Sequence, residues 1–104
     1  GEKNADIGHI LENIVYLELI RRGYTVNIGK VGEKEIDFIA SKSGDKIYYQ
    51  VAASVLDPAT FAREIDPLKK VGDNYPKYIL SMDDFPMSED GIEQMNIIDF
   101  LLEE

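Results

Sequence analysis

Apolar residues at Ile7, Ile10, Leu11, Ile14, Val15, Leu17 and Leu19 recur at the i, i+3, i+4, i+7 spacing of a helix and stop at Gly23. The spacing predicts a helix over 6–22. Asn4 or Asp6 is the expected cap, Arg21 and Arg22 lie at the negative end of the dipole, and Gly23 takes the left-handed position after the last turn. From Tyr24 the period changes to two. Strands are predicted over 24–28, 35–40 and 46–53, with tight connections at Gly29-Lys30-Val31-Gly32-Glu33 and Ser41-Lys42-Ser43-Gly44-Asp45, an antiparallel meander. Asp57-Pro58 opens a second helix as cap and first helical residue, and Asp66-Pro67 predicts a break before a restart over 68–71. A fourth strand over 77–82 follows the loop 72–76. The stretch 83–91 reads as a polar loop, and the chain closes with a short strand (95–98) and a capped helix (99–102). The order is α-β-β-β-α-β plus a small βα tail, one domain over 1–104.

Strand parity selects the candidate chemistry, because residues two apart share a face. Glu35, Asp37 and Ile39 share one face of the second strand, opposite Ile36, Phe38 and Ala40. Tyr48, Gln50 and Ala52 share a face of the third. A carboxylate, Asp37, and an amide, Gln50, therefore stand side by side in the middle of neighbouring strands, where polar groups need a partner or a function. Asp37, the Gln50 amide oxygen and the Val51 carbonyl make a partial oxygen shell for Mg²⁺ or Mn²⁺, an ion able to polarise a phosphoryl oxygen and acidify a bound water. The plainer readings are a lysine partner such as Lys34 for Asp37, a hydrogen-bond network for Gln50, and a border position on the helix stripe for Glu12. Glu35 reads as a rim charge and His9 as a surface helix residue.

Composition narrows the chemistry. The 104 residues hold 20 acidic against 11 basic side chains, a formal charge of -9, with one histidine and no cysteine. Thiolate zinc sites, disulfides and thiol nucleophiles are excluded, and a histidine-based triad is disfavoured. Surplus acid opposes non-specific binding to a phosphate backbone, so any nucleic-acid contact is expected to be weak. No segment has the apolar length of a membrane span, and the expected location is cytoplasmic. Gly1 in place of Met, directly before a helix, suggests a piece of a longer chain. Asp83, Asp84, Glu89 and Asp90 lack the spacing of a calcium loop and read as solvated charge. Tyr24, Tyr48, Tyr49, Tyr75 and Tyr78 could stack bases, but at strand spacing they read as core and cross-strand packing.

The element order and these residues resemble the PD-(D/E)xK nuclease superfamily. The resemblance implies a restriction-endonuclease-like αβββαβ core, of the α/β (α+β) class, with a central mixed sheet flanked by helices. It maps the first-helix glutamate to Glu12, the metal-binding aspartate to Asp37 and the Glu/Gln position to Gln50, with Val51 supplying a carbonyl. Ala52 stands where that superfamily carries a lysine that orients the attacking water and offsets phosphate charge. Lys46 is six residues away, about 20 Å along a strand, so Arg63 or Lys69 of the second helix are the candidate substitutes. A closer resemblance rests on Gly8-His9-Ile10-Leu11-Glu12-Asn13, Arg21-Arg22-Gly23-Tyr24, Lys34-Glu35-Ile36-Asp37-Phe38, Tyr49-Gln50-Val51-Ala52 and Asp73-Asn74-Tyr75-Pro76-Lys77-Tyr78. These look like the C-terminal domain that follows the nucleotide-binding module of a group of prokaryotic AAA-type ATPases. The chain has no Gly-rich phosphate loop, so ATP hydrolysis is expected to lie outside it. The resemblance implies the N-terminal ATPase module as partner and allows an oligomer. Three functions follow as expectations: a catalytically degenerate binding or regulatory module, a Mg²⁺- or Mn²⁺-dependent phosphodiesterase with a borrowed cation, and a structural cover for the ATPase.

Overall fold

The first helix, α1 (Glu2–Arg21), turns Leu11, Val15 and Leu19 onto a sheet and ends in a double cap. Gly23 sits at φ 91°, its N–H donating to the Ile20 carbonyl and the Tyr24 N–H to that of Leu19, which satisfies carbonyls the helix end leaves open. The computed structural model describes residues 2–103, with side chains from Asp6 onward. Asp6 lies inside α1 and does not cap it, because the helix starts earlier; Asn4's side chain lies outside the described residues.

Strands β1 (Thr25–Val31), β2 (Lys34–Lys42) and β3 (Asp45–Val51) form the expected meander. β1 runs past the expected turn at residues 29–31, and the reversal falls at Gly32-Glu33, where Gly32 has φ 65°. Helix α2 (Pro58–Lys69) starts as predicted, the Asp57 carboxylate accepting from the Ala59 N–H at 3.0 Å. The expected break at Asp66-Pro67 does not occur. Pro67 falls in the last turn, and the burial of Ile65, Pro67 and Leu68 holds the helix through it. Strand β4 (Lys77–Ser81) adds parallel to β3, β6 (Ile92–Asn96) parallel to β4, and the short β5 (Ser88–Glu89) antiparallel to β6. Residues 83–91, expected to be loop alone, thus contain a strand, and Asp90-Gly91 at φ 52° and 80° makes its two-residue reversal. Helix α3 (Ile97–Leu102) begins two residues earlier than expected, with Asn96 accepting from the N–H groups of Ile98 and Asp99.

The sheet order is β1-β2-β3-β4-β6-β5. α1 and α3 cover one face over Val15, Leu19, Ala40, Tyr49, Leu80 and Phe100, and α2 covers the other over Ile36, Tyr48, Ile65, Leu68 and Ile79. This is an α+β fold with a mixed six-stranded sheet between helices. Tyr24, Tyr48, Tyr49 and Tyr78 pack as expected, Tyr49 stacking on Tyr78 at 5.9 Å between ring centres, whereas Tyr75 is exposed because it falls in the loop before β4.

Asp83 departs from the solvated-charge expectation. It is buried, accepts from the Val55 N–H at 2.8 Å and from the hydroxyls of Ser54 and Ser81, and so ties the segment after β3 to the end of β4. Burial works against its ionised form, but these three donors outweigh it and hold its carboxyl below the usual range. Glu89 and Asp90 pair with Lys69 on α2.

Candidate functional site

The site begins at an irregularity in β2. Asn27 faces Ile39, but Gly29 faces Ile36, so Asp37 and Phe38 together stand against the single Ile28. This is a β-bulge, and it inverts parity on its far side. Ile36 consequently joins Ile39 in the cluster beneath α2, while Phe38 packs with Ala40 beneath α1. The expectation that Ile36 shares a face with Phe38 and Ala40 fails because simple alternation has no place for the extra residue. Gly29 accommodates the crossing: a β-carbon there would lie 2.7 Å from the Ile39 side chain and 3.2 Å from that of Ile36.

The same place is a fork. The β2–β3 ladder ends at the pair Phe38 and Tyr49, and β3 continues along β4, with Gln50 beside Ile79 and Val51 beside Leu80. Side chains fill the opening between β2 and β3. The Asp37 N–H donates to Gln50 Oε1 at 2.8 Å, the Val51 N–H donates to Asp37 Oδ2 at 2.9 Å, and Gln50 Nε2 donates to the Glu64 carbonyl at 3.0 Å. Gln50, only 4% exposed, thus clamps both β2 and α2. Val51 meets Asp37 through its N–H, where the sequence reading used its carbonyl.

Above the fork lies an open cleft of about 270 Å³ lined by Lys34, Glu35, Asp37, Gln50, Arg63, Glu64 and Pro67. Burial pushes the Asp37 carboxyl up to about 6 against the opposing Val51 N–H bond, and the charges of Glu12 and Glu35 add to the rise. Burial also pushes Glu64 up to about 7, with the charges of Asp37 and Glu12 reinforcing it and Arg63 opposing. Glu64 is the residue that sequence reasoning missed. Its signal was its place beside the α2 stripe of Phe61, Ile65 and Leu68, one turn from each of Phe61 and Leu68.

Glu12 is half-buried on α1, near enough to act on both carboxyls through its charge, yet it does not line the cleft. Glu35 does line it. Lys34 pairs with Asp66 rather than Asp37. Arg63, 71% exposed on its side chain, lines the cleft with its Nε 4.0 Å from the Glu64 carboxylate. Lys69 is turned to Glu89 and Asp90 and does not line the cleft. Ala52 packs against the apolar cluster beneath α2.

The side chains that bring oxygen to the cleft are Glu35, Asp37, Gln50 and Glu64, of which Glu64 lies 4.0 Å from Arg63 Nε and Asp37 and Gln50 each commit one oxygen to a backbone N–H. Among the described residues no three of His, Cys, Asp and Glu come together as a metal-binding group.

No family model matches the chain, and no solved structure matches it. An uncharacterized protein of Haemophilus influenzae is 42% identical over 104 residues, covering 99% of this chain and 25% of that protein. The chain spans about a quarter of the length of the curated relative it matches. Among the described residues no helix is long and apolar enough to cross a membrane.

Proposed function

We propose that this chain is a nuclease-like domain of a larger AAA-type ATPase and serves there as a binding or regulatory module that no longer cleaves. The observation that carries the reading is the fork at Asp37. Gln50 and one Asp37 oxygen are committed to backbone partners, and the half-buried Ala52 packs against the apolar cluster beneath α2 at the position where the resembled superfamily carries its lysine. Phosphodiester hydrolysis needs a cation and an oriented water at the reacting phosphate. Beside Ala52's position the cleft holds two carboxyls that burial makes harder to ionise, Asp37 and Glu64. The sequence relationship to a chain about four times as long supports a role inside a larger protein. The test is incubation with supercoiled plasmid and with oligonucleotides in Mg²⁺ or Mn²⁺. The expected result is no metal-dependent cleavage; nicking that Asp37→Ala abolishes would overturn the reading.

One observation favours a second reading, a divalent-metal-dependent phosphodiesterase with a relocated cation. Arg63 and Lys34 both line the cleft that holds Asp37 and Glu64. In that case Asp37, Glu64 and Gln50 hold Mg²⁺ or Mn²⁺, which supplies Lewis acidity, and Arg63 faces the phosphate. Calorimetry with Mn²⁺ decides this reading: absence of binding at millimolar metal removes it, and binding that Asp37→Ala abolishes supports it.

A further inference from the structure

The cleft above the fork is lined by acids that lack a cation. Glu35, Asp37 and Glu64 face it against two basic residues, and one of these, Lys34, is already paired with Asp66. The other, Arg63, is largely exposed and stops 4.0 Å from the Glu64 carboxylate, beyond hydrogen-bond reach. Among the described residues no other cationic nitrogen comes as close to Asp37 or Glu64. Glu12 adds a further negative charge from α1. Carboxylates withdrawn from water are ordinarily paired, and these two are held without a partner of opposite charge.

A second feature, independent of the acids, comes from Pro67. Proline has no N–H, so the Arg63 carbonyl, four residues earlier in α2, lacks the donor that would close a helical hydrogen bond. Arg63 and Pro67 both line the cleft, which sets this carbonyl on the cleft side of the helix. The opening thus presents carboxylates and an open carbonyl from two elements, β2 and α2. Such a set matches a positively charged group with several N–H donors. A volume of about 270 Å³ takes the end of a side chain, and among the described residues no three of His, Cys, Asp and Glu come together to cage a metal ion. The formal charge of -9 draws a basic partner and repels a phosphate-rich one.

We propose that the cleft receives a basic side chain, the ammonium of a lysine or the guanidinium of an arginine, presented by a partner protein. This rests on the reading of the chain as a binding module and names what that module binds. Asp37 and Glu64 meet the charge from β2 and α2, the Arg63 carbonyl accepts a further N–H, and Pro67 borders the aliphatic stem. The Arg63 guanidinium stands at the rim as a competing cation.

Nuclear magnetic resonance titration of the isotope-labelled chain tests the proposal, with end-blocked peptides Gly-Gly-Lys-Gly-Gly and Gly-Gly-Arg-Gly-Gly and an uncharged norleucine control. The expected result is a saturable shift of the Asp37 and Val51 N–H signals and of the Gln50 side-chain amide with a basic peptide, and none with norleucine. The tighter of the two basic peptides identifies the side chain. Asp37→Asn and Glu64→Gln keep the side-chain shape and should each weaken binding roughly tenfold. Arg63→Ala should strengthen it about twofold to fivefold by removing the competitor. Equal shifts with lysine and norleucine, binding indifferent to both carboxyl substitutions, or binding lost in Arg63→Ala overturns the proposal. Absence of a saturable shift with both basic peptides also overturns it and leaves the non-cleaving module standing, whereas metal-dependent nicking abolished by Asp37→Ala overturns that reading itself.

Discussion

Replacing Gln50 tests the fork directly. Gln50→Ala removes the acceptor of the Asp37 N–H and the donor to the Glu64 carbonyl, two contacts at 2.8 and 3.0 Å made by a side chain only 4% exposed. A buried backbone group left without a partner costs about 1–3 kcal/mol. The cleft is open on one side, so water recovers part of that, and the expected loss is about 2–4 kcal/mol. In a domain of this size that corresponds to roughly 10–20 °C in melting temperature. Gln50→Glu is the sharper variant. One of its oxygens still accepts from the Asp37 N–H, but the other now faces the Glu64 carbonyl and is tolerated there only as a protonated O–H. Gln50→Glu should therefore be close to wild type at pH 5 and clearly less stable at pH 8, by about 1–3 kcal/mol. The assay is urea unfolding of the three proteins at both pH values, followed by circular dichroism. A Gln50→Ala loss below about 0.5 kcal/mol, or a Gln50→Glu penalty independent of pH, would refute the clamp.

Three further outcomes follow. Glu64 holds its proton to about 7 in the fold against an ordinary 4.5, so its ionisation costs the native state at most roughly 3 kcal/mol. The native state binds more protons than the unfolded chain across that window. The penalty is absent below about pH 4.5, grows as pH rises, and is complete above about 7, so Glu64→Gln should stabilise the protein at pH 8 by about 1–2 kcal/mol and do little at pH 4, measured by thermal unfolding at the two pH values. Asp83→Ala leaves the Val55 N–H and two serine hydroxyls without their acceptor; urea unfolding should show a loss of about 2–4 kcal/mol. Gly29→Ala drives a methyl group to 2.7 Å from Ile39 beside the bulge, and the same measurement should show a loss of about 1–3 kcal/mol.

Much of the fold is written in local pattern. The 3.6-residue spacing through Leu11, Val15 and Leu19, the Gly23 stop and the Asp57-Pro58 start each act within a few residues of themselves, and each appears where the pattern places it. Parity was also enough to set Asp37 beside Gln50, because the register pairing Ile39 with Tyr48 brings those residues to one opening. The bulge was hidden, since two residues facing one is a property of the pair of strands and leaves no mark on alternation within β2 alone. Pro67 misled for a related reason: the local rule against proline is overridden by packing that only the folded α2 provides. Asp83 looked like any loop acid until the segment after β3 came to lie against it, and Glu64 became part of the site only when α2 crossed the fork.

The account rests on Asp37 and Glu64 sharing one desolvated cleft, and a carbon-13 titration of their side-chain carboxyls measures that sharing most directly. Midpoints near 6 for Asp37 and near 7 for Glu64 are expected. Asp37→Asn should lower the Glu64 midpoint, because the Asp37 charge raises it, whereas Glu64→Gln should leave that of Asp37 near 6, because Glu64 is still largely protonated where Asp37 titrates. Midpoints near 4 for both carboxyls, with that of Glu64 indifferent to Asp37→Asn, would contradict the site as described.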